Sequence, residues 1–124
     1  MPPTPNIAED RARAILDFWF GLKGSPESEG PRKLWFKKDP AFDAQLRAAH
    51  LADYERARDG ELDGWREAPE TCLALVVTLD QFPRNLFRGD ARAFATDAKA
   101  LKAAAYGIER GFDQDMPAHR RVFF

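Results

Sequence analysis

Asp80, Gln81, Arg84, Asn85 and Arg88 follow directly on the most apolar run of the chain and are interleaved with Phe82, Leu86 and Phe87. Charges set among hydrocarbon need internal pairing, a ligand or a structural purpose. Two kinds of chemistry fit these residue types. Arg84 and Arg88 can present forked donors to an anionic ligand or a peptide carboxylate, with Gln81 and Asn85 orienting it. Alternatively, Asp80 acts as general acid or base and Arg84 as an anion clamp, the minimum for a small metal-independent hydrolase of an anionic substrate. A structural reading stands ahead of both. On a continuous helix Asp80 and Arg84 are i,i+4 neighbours and form a buried pair. Asn85 and Arg88 then close the turn that follows, and Asp97 pairs with an arginine of this segment. Pro83 removes a helical donor and crowds the Leu79 carbonyl, so a kink or break is expected, with an arginine or amide satisfying that carbonyl.

The remaining reactive residues add little. His50 lies between Leu46 and Tyr54 on an apolar face, the setting of a hydrogen-bonded core histidine, and His119 beside Arg120 and Arg121 reads as exposed. No HExxH, ExxH or paired Cys/His spacing occurs, so no metal or other cofactor is expected. Cys72 sits in the apolar run without a neighbouring base, as an inert thiol does. Phe18-Trp19-Phe20 and Trp35-Phe36 are grouped aromatics. Consecutive helical residues point to different faces, so the aromatics pack under a loop or line a groove, with Trp19, Trp35 and Phe36 as candidate ligand contacts.

Helices must position all of these. Asn6 and Glu9 have capping-box spacing, and Ala12, Ile15, Leu16 and Trp19 recur at three and four residues behind them. Gly21 and the stretch 24–31 end that helix. Asp39-Pro40 opens a second, with Phe42, Leu46, Ala49, His50 and Tyr54 on one face, and Asp59-Gly60 closes it. Trp65 lies in a short connection. A third helix begins near Pro69 and is apolar nearly all round, which marks it as central. Asp90 caps a fourth, expected over residues 91–110, with Phe94, Ala98, Leu101, Ala105 and Ile108 as its core face and Ala93, Ala100 and Ala104 as a smooth side. A fifth runs from Asp115 and Pro117 into Phe124. The fold class expected is all-α, an antiparallel array of about five helices.

The 124 residues make one domain, 1–124, with a flexible start at 1–7. A net charge of -1 with no basic or acidic run argues against nucleic acid as a partner. The start has no signal-peptide pattern and no run is long enough for a membrane span, so a cytoplasmic location is expected.

The motifs around Leu16-Asp17-Phe18-Trp19-Phe20-Gly21, Leu34-Trp35-Phe36, the run 79–89 and Arg92-Ala93-Phe94-Ala95-Thr96-Asp97 resemble those of the bacterial family called domain of unknown function 924. The resemblance spans residues 12–124 in the same order. It implies a tetratricopeptide-like right-handed superhelix and no activity. It also implies a further C-terminal segment after Phe124, which this sequence lacks. The function expected is a non-catalytic protein- or peptide-binding module with Arg84, Asn85 and Arg88 as polar anchors. The hydrolase is the alternative, and a homodimer formed through the apolar surface left by the absent C-terminal segment is a third.

Overall fold

A computed structural model of the chain describes residues 7–21, 30, 39–114, 116–121, 123 and 124, with the backbone alone for 7–9. Every regular element among them is helical: α1 (Ile7–Phe20), α2 (Pro40–Arg58), α3 (Pro69–Asp80), α4 (Phe82–Leu86), α5 (Asp97–Glu109) and α6 (Ala118–Arg121), with 3-10 turns at Asp63–Glu67 and Ala91–Phe94. No helix of the described residues is long and apolar enough to cross a membrane.

Local chemistry sets the boundaries. The Asp39 carboxylate accepts from the Ala41 and Phe42 amides at 3.0 and 3.1 Å, and Pro40 opens α2 where its missing N–H costs nothing. At the other end Gly60 takes φ 86°, and Glu61 donates to Arg56 O at 2.9 Å. That is the Schellman closure, which needs a left-handed residue. α5 ends the same way, with Gly111 at φ 77° and Phe112 donating to Gly107 O.

α3 is the hub. Residues 72–79 are all buried, and the helix packs against α1, α2, α4, α5 and the turn holding Trp65. Ala12, Ile15, Leu16, Trp19 and Phe20 of α1 meet it, as do Phe42, Leu46, Tyr54 and Ala57 of α2.

α5 departs from the sequence expectation in two ways. The expected single helix over 91–110 is split into the 3-10 turn capped by Asp90 and the helix proper after Thr96. The face is also reversed. Ala100, Ala103, Ala104 and Gly107 turn inward, whereas Phe94, Leu101 and Ile108 are 57%, 71% and 47% exposed. α3 is apolar all round, so its neighbour gains most by approaching closely, and a side of alanine and glycine permits that. The Cys72 thiol lies 3.5 Å from Ala103 O, and a Cβ on Gly107 would stand 3.0 Å from Cys72 Sγ.

Candidate functional site

Pro83 builds the site by breaking a helix. α3 stops at Asp80, Gln81 forms the joint, and Pro83 sits in the first turn of α4. The Gln81 amide still donates to Val77 O at 2.9 Å, while Arg84 N donates to Gln81 O at 3.1 Å. The Leu79 carbonyl is satisfied by the Thr96 hydroxyl at 2.6 Å, not by an arginine or amide as expected. A buried hydroxyl was at hand from the start of α5, and a neutral donor needs no counter-charge there.

Four of the candidate residues meet at this break. Arg84 Nε donates to Asp80 O at 3.1 Å, and Arg84 Nη2 lies 3.3 Å from Asp80 Oδ1 and 3.7 Å from Asp97 Oδ1. Gln81 donates to the other Asp80 oxygen. The Arg84 guanidinium rests over the Phe94 ring, 5.1 Å from its centroid. The pairing expected for Asp80, Arg84 and Asp97 is therefore present, but it is not buried: the side chains are 26%, 42% and 42% exposed.

The other candidates are placed differently. Arg88 turns to α2, with Nε 2.6 Å from Asp43 Oδ2, although it shares with Arg84 and Phe94 an open cleft of about 560 Å³. Asn85 is half-buried and makes no hydrogen bond to a described residue. Trp19 is a core residue, 1% exposed and packed against Phe42, Phe82 and Phe123, because its helix turns that face to α3. It does not line a groove. Trp35 and Phe36 lie outside the described residues, as does Asn6 of the expected cap. His119, read as exposed, is 8% exposed, with its ring edge-on to Phe20.

Sequence reasoning missed the most deeply buried charge. Asp53 on α2 is 1% exposed and is held by a bidentate contact from Arg11 of α1, by His50 Nδ1 at 2.9 Å and by Arg56 at 3.4 Å. Burial pushes its carboxyl up, but hydrogen bonds from His50 and Arg11 and the Arg11 charge outweigh that and hold it below the usual carboxylate range. His50 lies between the Phe18 and Phe82 rings, at 5.2 and 5.6 Å. A signal existed, since Asp53 follows Leu46 and His50 at helical spacing on the buried face. Cys72 is also shut in: burial pushes its thiol up to about 11.

Among the described residues no group of three or more His, Cys, Asp or Glu is placed to hold a metal ion. Chemically, the break offers anchored cations, one exposed aromatic and a carboxylate already engaged at both oxygens.

No curated protein matches the chain. The solved structure of a protein of unknown function from Agrobacterium tumefaciens is similar, with 42% identity and a TM-score of 0.81 over 94% of this chain. The match covers 61% of that protein, so this chain spans less than two thirds of its length. The family described as bacterial protein of unknown function (DUF924) matches residues 15–124. The chain belongs to that family.

Proposed function

We propose that this domain is a non-catalytic module that binds an amphipathic helix or peptide of a partner protein along the outer side of α5. One observation carries the reading: Ala98, Leu101, Ala105 and Ile108 recur at three- and four-residue steps on a solvent-facing side, with Phe94 in the turn feeding the helix. Such spacing is what a partner helix seats against, and monomeric surfaces rarely hold large apolar side chains in a row. Phe94 also borders the cleft of Arg84 and Arg88, where an acidic side chain of the partner would find two guanidinium groups. The tetratricopeptide-like superhelix implied by the family resemblance, and a cytoplasmic setting, belong to this reading. The hydrolase alternative is weaker, because Asp80 is already engaged by Arg84 and Gln81.

A photo-reactive amino acid placed at Leu101 tests the proposal in cells. One defined partner should be captured, and the Arg84→Ala/Arg88→Ala variant should lose that product. Capture of the chain by itself, with a doubled mass in sedimentation, would assign the stripe to a homodimer instead. No crosslinked product would end the binding reading.

A further inference from the structure

Away from the α4 break, a cleft of about 520 Å³ opens between α1, the first turn of α3 and α6. Its walls carry Arg13 and Asp17 from α1, Glu70 from α3 and Arg120 from α6, above a floor of Leu16 and Met116. None of these four charged side chains makes a hydrogen bond or ion pair with a described residue. Elsewhere the arginines of this protein find acids readily, as Arg11, Arg84 and Arg88 do. Arg13 and Asp17 are i,i+4 on one helix, a spacing that normally allows pairing, and yet they stay apart. The Arg120 guanidinium stacks on Phe20, 4.7 Å from the ring centroid. The contact with the ring holds the guanidinium in place without using up its N–H donors.

We infer that this cleft binds a small zwitterion, an α-amino acid or a short peptide with both ends unblocked. Arg13 and Arg120 would take its carboxylate and Asp17 and Glu70 its ammonium group. The charge balance selects this class. A simple anion meets two carboxylates on the walls and a simple cation meets two guanidiniums, so each is opposed by what attracts the other. A molecule bearing both charges satisfies all four. The volume lies in the range of ordinary ligand sites. Next to it, a second cavity of about 230 Å³ shares Arg13, Leu16 and Glu70 and is bordered by Ala12, Pro69 and Thr71, which gives room for a chain longer than one residue.

Titration of the whole chain with alanine, trialanine, N-acetyl-trialanine and trialanine amide, followed by amide chemical shifts, tests this. Trialanine, alone or together with alanine, should saturate shifts around Arg13 and Glu70, and blocking either end should weaken binding on the order of tenfold. Alanine saturating as well assigns the cleft to amino acids, whereas trialanine alone assigns it to peptides. Glu70→Gln should weaken discrimination against the acetylated form, and Arg13→Gln discrimination against the amide. Both side chains are exposed, so Arg13→Gln should leave the melting temperature in place and Glu70→Gln, in the first turn of α3, should lower it by at most about 5 °C. Equal behaviour of blocked and unblocked peptides, or no saturation by about 10 mM, overturns the inference.

Discussion

Asp53 is buried against Arg11, His50 and Arg56, while Arg11 and Arg56 keep much of their own surface in water. Removing the carboxylate leaves cations that can rehydrate, so Asp53→Asn should cost about 2 kcal/mol, nearer a charged hydrogen bond than an abandoned buried charge. The folded-state pKa of Asp53 lies below its unfolded value, so the folded protein binds fewer protons at this group. The contribution is full above the unfolded value, about 4, and is lost as pH falls through the depressed folded value. Urea midpoints from pH 7 to pH 2 should therefore show wild type and Asp53→Asn converging at the acid end. A constant gap would contradict the assignment. Thr96→Val should cost about 1–2 kcal/mol, because the Leu79 carbonyl loses its donor where water does not reach. Residues 79–89 advertised their polarity in the sequence, and the pairing of Asp80 with Arg84 was legible because it is local. Asp53 finds Arg11 across 42 positions, and no periodicity encodes a partner that distant.

At the scale of the element, α5 separates apolarity from burial. The sequence pattern favours the larger side chains as the core face, since more hydrocarbon removed from water is normally more stabilising. Packing against α3 favours the smaller ones, because distance between helices is the scarcer quantity here. The two readings predict opposite mutational results. Leu101→Lys should change stability by no more than about 0.5 kcal/mol, whereas Ala104→Leu should cost about 1–3 kcal/mol by forcing α5 away from α3. Thermal melts of the two variants decide between them. The stop of α1, both ends of α2 and the start of α3 were legible from Gly21, Asp39-Pro40, Asp59-Gly60 and Pro69. The split of α5 at Thr96 was not, because the demand for a donor at the Leu79 carbonyl comes from a different helix.

On the scale of the whole molecule, the open clefts lie at the periphery and the centre is mostly hydrocarbon. The arginine cleft beside Phe94, the outer side of α5 and the cleft of Arg13 and Glu70 all lie on the flanks of helices whose other sides meet α3. Substitutions on such a surface leave the core undisturbed. Because residues 72–79 of α3 are all buried under neighbouring elements, the backbone of that stretch cannot meet solvent while they remain in place. An outer helix such as α6 can detach alone, but α3 is released only when the assembly comes apart. Deuterium uptake at the amides of Val76 and Val77 should consequently report the free energy of global unfolding, with a denaturant slope equal to that of the whole protein, while uptake in α6 is nearly independent of denaturant.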